Sequence, residues 1–249
     1  MSGNFINLNT KNIADEHISC IIRSRKPHVG IEAKKTWIFN RLKEGHIFRK
    51  LDVKAPVFIE YAPLEKAWVP IDGENYYYIY CLWVDGIYKK KGYGESLMNY
   101  CIDDAKKNNK SGICMLSAKK QKAWLSDKSF AKKFGFKAVD TTENGYELLA
   151  LSFDGNNPKF LENAKSEKID NENLTIYYSM QCPFIYQNIE KIKEYCKLEN
   201  ILVSLVEVNT LKDAKNMPCV FNNYAVFYKG EFKTVNLVDV SYIKRLFKE

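Results

Sequence analysis

The sequence predicts a mixed α/β protein, an α+β mixed sheet followed by a second, smaller α/β segment. Three observations predict it. Strand-like and helix-like apolar patterns alternate from Phe5 to about Phe153. Nine consecutive aromatic or apolar residues, YYYIYCLWV at 76–84, suit a central strand covered on both faces. A polar stretch, FDGNNPKFLENAKSEKIDNENL at 153–174, interrupts the apolar spacing before a compact pattern resumes at Leu174. The organisation therefore reads as a domain over 1–154, a linker over 155–172 with one helical turn near Phe160–Ala164, and a domain over 173–249.

The elements follow in order. FINLN is a short strand, and KTWIFNRLKEG reads as a helix ended by Gly45. HIFRKLDV and PVFIEYAP alternate with period two and read as strands, with EKAWVPID returning as another. After the central strand, Tyr93, Leu97, Cys101 and Ala105 recur every four residues and make an amphipathic helix. GICMLSA is a further buried strand, SFAKKFGF a short helix stopped by Gly135, and YELLALSF the last strand. In the second segment LTIYYSMQCPFIYQNIEKIKEYC reads as strand, turn and helix, with Ile185, Ile189, Ile192 and Cys196 on one face. ILVSLVEV is a buried strand, YAVFYKGEF a hairpin turning at Lys229–Gly230, and Val240, Ile243 and Phe247 mark a closing helix.

Composition narrows the function classes. The chain has 249 residues, 46% of them hydrophobic and 14% aromatic, enough for filled cores. Its formal charge of +8 suits an anionic ligand, but no Arg-rich stripe accompanies it, so no nucleic acid is expected as partner. The N-terminus lacks an apolar signal region, and no run reaches the length of a membrane span, so no membrane partner is expected either. Seven cysteines, an odd number at irregular spacing, point to a reducing cytoplasm. With no CxxC pair and only three scattered histidines, no metal site is expected.

KKKGYGESLMNYC, residues 89–101, carries the chemistry. A buried strand, a tight Gly-x-Gly turn and a helix together make an anion site. The first N–H groups of a helix lack partners inside it, and the macrodipole leaves partial positive charge there. Gly92 and Gly94 let backbone approach a phosphate without a Cβ in the way, and Lys89, Lys90 and Lys91 add point charges. The bland alternative is a basic turn before a helix. A P-loop would need four residues between its glycines and then Lys-Ser/Thr, and a dinucleotide fingerprint a third glycine where Met98 and its neighbours stand.

This stretch resembles the acetyl-CoA signature of the GNAT N-acetyltransferases, Gln/Arg-x-x-Gly-x-Gly/Ala, here Lys89-x-x-Gly92-x-Gly94 with lysine at the first place. GICMLSA falls where that family's next strand should be, and FAKKFGF is similar to its late helix and Gly-Phe turn, so the resemblance extends to about residue 153. It implies the GNAT acyl-CoA N-acyltransferase fold and acetyl-CoA as cosubstrate. Lys89, Lys90, Lys91, Gly92, Tyr93, Gly94 and Glu95 would surround the pyrophosphate, and Leu82, Trp83 and Val84 would pair backbone groups with the pantetheine arm. The strand carrying them would splay from its neighbour to admit it. The implied acceptor is a small-molecule or peptide amine, and a homodimer is compatible.

Acyl transfer to an amine needs a base, and protonation of the departing thiolate needs an acid. Many family members place a tyrosine four residues before the Gly-Phe turn, where Ala131 stands here, so another tyrosine, a cysteine or water must serve. Glu60, in FIEYAP, is the chosen base among Glu60, Glu65 and Asp72, against the reading of an outward-facing strand carboxylate. Tyr61, Trp68 and Tyr78 are candidates for the acceptor pocket or for core. A domain that senses acyl-CoA without turnover is the alternative from another class.

The second segment, strand–helix–strand then hairpin and helix with MPCVF before the hairpin, resembles a thioredoxin-like domain. A GNAT domain followed by it is similar to the YoaP-type acetyltransferases. The resemblance makes Cys182 the counterpart of the first active-site cysteine and Pro218 that of the cis-proline. Ile185 stands where a resolving cysteine should be, which argues against two-cysteine redox chemistry unless Cys219 approaches Cys182.

Overall fold

The structure, a computed structural model, describes residues 3–20 and 28–248. It divides into two compact units, one built mainly of Lys35–Ala67 and Ile71–Lys159, the other mainly of Phe160–Glu249 together with His28–Lys34 and Trp68–Pro70.

In chain order the first part holds β1 (Phe5–Asn7), α1 (Val29–Leu42), β2 (Ile47–Leu51), β3 (Val57–Pro63), β4 (Ile71–Asp72), β5 (Tyr76–Val84), α2 (Tyr93–Lys107), β6 (Gly112–Ala118), α3 (Lys128–Lys132), β7 (Lys137–Thr141), β8 (Tyr146–Ser152) and β9 (Lys159–Phe160). Seven of these strands make one sheet in the order β1-β2-β3-β5-β6-β8-β7. All its neighbours are antiparallel except β5 and β6, which α2 connects in parallel. The four-residue repeat predicted for α2 is the face it buries: Leu97, Met98, Cys101 and Ala105 join Val57, Ile59, Tyr61, Tyr77, Ile79, Ile113 and Met115 in one core. Each such side chain contributes roughly 1.5–3 kcal/mol by leaving water.

Two expectations fail locally. EKAWVPID does not return as a full strand: it forms a short 3-10 turn over Leu64–Lys66 and only the two residues of β4 pair. Pro70 cannot donate to a ladder, and its carbonyl accepts from the Leu161 N–H instead. Conversely Lys137–Thr141, unread in the sequence, is edge strand β7; its side chains are mostly exposed, so no apolar alternation marks it.

The second unit holds β10 (Leu174–Tyr178), α4 (Ile185–Leu198), β11 (Val203–Glu207), α5 (Leu211–Lys215), β12 (Tyr224–Tyr228), β13 (Glu231–Thr234) and α6 (Val240–Leu246). Its sheet runs β11-β10-β12-β13, with β10 and β11 parallel and the other pairs antiparallel. The hairpin turns where expected. Lys229 and Gly230 both take positive φ, 54° and 73°, as a two-residue primed turn requires. At Gly230 an added Cβ would stand 2.8 Å from the Ile169 carbonyl oxygen, so glycine is needed twice over. Ile185, Ile189, Ile192 and Cys196 are buried as predicted. The sequence predicts a buried strand at ILVSLVEV, but β11 is half-exposed to exposed because it sits at the sheet edge with one neighbour. Leu246 rather than Phe247 completes the α6 core face; Phe247 is 41% exposed and lies against Tyr228, rings 4.7 Å apart. Pro218 is not a cis-proline: no cis peptide bond occurs among the described residues.

Candidate active site

The central strand is built to open. β5 pairs with β6 only from Tyr76↔Gly112 to Tyr78↔Cys114. Beyond that point β5 runs on to Val84, held by β3, while β6 runs on to Ala118, held by β8. Two parallel strands that each keep one neighbour and release the other make a wedge between Ile79–Val84 and Met115–Ala118. At its closed end Gly112 is forced: a Cβ there would stand 2.4 Å from the Leu151 carbonyl oxygen and 2.6 Å from the Tyr76 ring. Burial changes along the strand accordingly, from buried at Tyr76–Tyr80 to half-buried at Cys81, Leu82, Trp83 and Val84.

A bulge lies at the same level. Cys81 faces Glu60 and Ile79 faces Tyr61 across β3, so Tyr80 is an extra residue with no β3 partner. Tyr80 and Cys81 thereby point to the same side of the sheet, away from α2.

The wedge leads into the glycine turn. Gly92 is the N-cap of α2 in the left-handed region, φ 79° and ψ −3°, with no side-chain cap. Nothing lies within 4 Å of the position its Cβ would take. The first intrahelical bond runs from the Ser96 N–H to the Gly92 carbonyl oxygen, 2.9 Å, so the N–H groups of Tyr93, Gly94 and Glu95 precede the helix ladder. Gly94 is helical, and its missing Cβ would touch the Phe130 ring of α3 at 3.4 Å and Val84 at 3.6 Å. Lys89, Lys90 and Lys91 are exposed, and the Lys89 and Lys91 ammonium groups lie 5.9 Å from the Trp83 and Tyr88 ring centres. A helix N-terminus open to solvent, ringed by lysines and continuous with a strand gap, fits a phosphate joined to an extended amide-bearing arm. Two buried polar atoms on the wedge strands, Trp83 Nε1 on β5 and Ser117 Oγ on β6, have no protein partner and fit the same reading.

Glu60 is fully buried, which removes the outward-facing alternative. Its Oε1 lies 3.1 Å from His46 Nε2, whose side chain is 2% exposed. The imidazole is held by the Trp37 ring edge-on at 5.4 Å and by Tyr80 at 5.3 Å. His46 stands two residues from Phe48, the direct partner of Glu60, so the pair is a diagonal cross-strand contact. The sequence reading missed His46, because only the register of β2 on β3 brings it to Glu60. Replacing His46 by alanine is expected to cost roughly 1.5–3 kcal/mol in urea denaturation, since a buried carboxylate loses a hydrogen bond.

Other candidates lie elsewhere. Glu65 and Asp72 are exposed and beyond Pro63, at the end of the sheet where β5 begins, opposite the glycine turn. Glu65 is committed to the Asn75 N–H at 2.6 Å. Tyr61, Trp68 and Tyr78 are core, none above 3% exposed. Burial first, then Cys101 and Asp104, keeps the Tyr61 phenol protonated, and it donates to Asp104 at 2.8 Å. Ala131 is fully buried in the core beneath α2.

In the second unit Cys182 is half-buried, three residues before α4, and packs against the apolar core that α4 covers. Its carbonyl accepts from the Ile185 N–H at 3.1 Å. Cys219 is fully buried, and burial, with Glu167 nearby, pushes its thiol well up. A thiol held protonated is a poor nucleophile, so Cys219 does not supply the missing resolving thiolate.

Comparison with known proteins gives two family matches: the Acetyltransferase (GNAT) family over residues 15–136 and the YoaP-like family over residues 203–247. The chain is 34% identical over 244 residues to the uncharacterized N-acetyltransferase YoaP of Bacillus subtilis strain 168, covering 97% of each chain. Among solved structures it is similar to Ard1 of Thermoplasma volcanium, at 14% identity and TM-score 0.43, over 61% of this chain and 98% of that one. It is similar also to a GNAT family acetyltransferase of Brucella melitensis in complex with acetyl-CoA, at 15% identity and TM-score 0.41, over 64% and 93%.

Proposed function

The chain belongs to the GNAT family of acetyltransferases, and from that premise we propose that it moves the acetyl group of acetyl-CoA directly onto a primary amine, with Glu60 as the base. The single observation that carries the site assignment is the wedge: β5 and β6 part after Tyr78↔Cys114 and point their open end at the glycine turn. The cofactor supplies an activated thioester. Leu82, Trp83 and Val84 hold its arm by backbone hydrogen bonds in the manner of an added strand. The N–H groups of the turn from Lys89 to Glu95 hold its pyrophosphate, with the three lysines contributing charge. Glu60, at the bulge, accepts the amine proton, and His46 orients the carboxylate. Since Glu60 is fully buried, the amine reaches it through the wedge. Ala131 carries no proton to give. An alkyl thiol ionises near pH 8.5, so at neutral pH the leaving thiolate takes a proton from water without a dedicated acid. Small-molecule and peptide amines are both compatible acceptors. Release of free CoA from acetyl-CoA over an amine panel tests the reading. No release with any amine, in protein that binds CoA, overturns the transferase step.

For the second unit we propose a thioredoxin-like module that positions or recruits rather than exchanges disulfides. Parallel β10-α4-β11, the β12–β13 hairpin and closing α6 support that architecture. The fully buried Ile185, in place of a second cysteine, supports the non-redox role. All seven cysteines are free, which supports a reducing, cytoplasmic setting. Titration of the native protein with a thiol reagent is expected to find at most three reactive groups, the half-buried Cys20, Cys81 and Cys182, and the remaining four only on unfolding. Modification of Cys182 well below pH 7 at a rate far above the other two would instead mark it as a catalytic thiolate.

A further inference from the structure

The loop between β6 and α3, residues 119–127, holds a tryptophan that the core does not use. Trp124 is 47% exposed and has φ 66°, a left-handed conformation that a bulky L residue adopts at a cost. The loop around it is closed. The Gln121 side-chain amide donates to the Lys122 and Leu125 carbonyl oxygens, 3.0 Å each, bracketing Ala123 and Trp124. The Lys119 N–H donates to the Gly145 carbonyl oxygen at 2.8 Å, and the Lys122 ammonium lies 4.5 Å from the Tyr146 ring centre. At the far end Asp127 caps α3 by accepting from the Ser129 N–H at 2.8 Å.

The loop starts at Ala118, the open end of β6, and ends at α3, whose Phe130 ring adjoins Gly94 of the turn. Its path therefore joins the mouth of the wedge to the phosphate end of the site. Only four residues separate Trp124 from Lys128, the first residue of α3, a reach of at most about 14 Å. Lys119 and Lys120 are exposed on the same loop. An exposed indole in a fixed loop, with unburied lysines close in sequence, is the chemistry that takes a purine by stacking and a phosphate by charge.

Resting on the cofactor reading above, we propose that Trp124 is the platform for the adenine ring of CoA, with Lys119 and Lys120 receiving its 3′-phosphate. The strained tip is then prepaid ordering: the ring is presented before the ligand arrives, so less freedom is lost on binding.

Calorimetric titration with CoA, 3′-dephospho-CoA and 4′-phosphopantetheine separates the parts of the site. Trp124→Ala is expected to weaken CoA and 3′-dephospho-CoA about tenfold, as loss of one base–aromatic stack does, and to leave 4′-phosphopantetheine unchanged. Trp124→Phe should keep most of the affinity. The double variant Lys119→Ala, Lys120→Ala should weaken CoA but not 3′-dephospho-CoA. Trp124→Gly, which relieves the positive φ, should melt no lower than the wild type while losing the same CoA affinity, an outcome that a purely structural tryptophan would not give. Wild-type CoA affinity in Trp124→Ala, or an equal loss for 4′-phosphopantetheine, overturns the assignment of Trp124 alone. Failure of the wild-type protein to bind CoA and 4′-phosphopantetheine overturns the wedge reading on which it rests.

Discussion

Glu60→Gln is expected to lower kcat by about two to three orders of magnitude with KM for acetyl-CoA unchanged. The amide keeps the size of the carboxylate and can still bond to His46, so packing around Trp37, His46 and Tyr80 survives. What it removes is the capacity to take a proton. The position explains the size of the effect: Glu60 faces Cys81, one residue before Leu82 and beside the extra residue Tyr80, at the level where β5 has left β6. A base must be deprotonated to act, so the wild-type rate rises with pH through the ionisation of that base, and the variant should lose this limb. The measurement is thiol release against pH with the best amine of the panel, alongside a thermal melt. Wild-type kcat in a folded Glu60→Gln protein would remove the assignment and leave Glu60 as the buried partner of His46.

Gly94→Val should weaken CoA by more than about a hundredfold in calorimetric titration while the helix content is retained. A methyl at this site already meets Phe130 at 3.4 Å and Val84 at 3.6 Å, and a second branch must project toward the open side, where the turn presents its N–H groups. Gly94 has an ordinary helical backbone, so valine adds only a propensity cost below about 1 kcal/mol. Gly92→Ala makes the contrast. There the space is open, but φ is 79°, so the cost falls on stability, about 1–2 kcal/mol, with a smaller loss of CoA. Equal CoA affinity in Gly94→Val and wild type would show that the pyrophosphate does not sit on this turn.

Much of this was legible in the residues. YYYIYCLWV, GICMLSA and the helix from Tyr93 occupy the predicted spans, because each carries its own periodicity and is bounded by glycine or a polar turn. The glycine turn was legible for the same reason: strand, Gly-x-Gly and helix are contiguous. β7 was not, because an exposed edge strand has no apolar face to read, and Pro70 broke a strand that alternation alone had suggested. Glu60 could be picked from its apolar neighbours, yet its burial and its partner could not.

The sequence by itself determined the mixed α/β class, the central strand, the helix face of Leu97, Cys101 and Ala105, and the turn that carries charge and glycine to a helix start. These depend on residues a few positions apart, where backbone geometry sets which side chains share a face. Only the tertiary structure decided the rest: the point where β5 leaves β6, the bulge at Tyr80, the meeting of His46 with Glu60, and the burial that silences Cys219. Each of these follows from strand register and packing between segments far apart in the chain. A slip of one residue would turn every side chain of a strand to the other face, and no local pattern records which register was chosen.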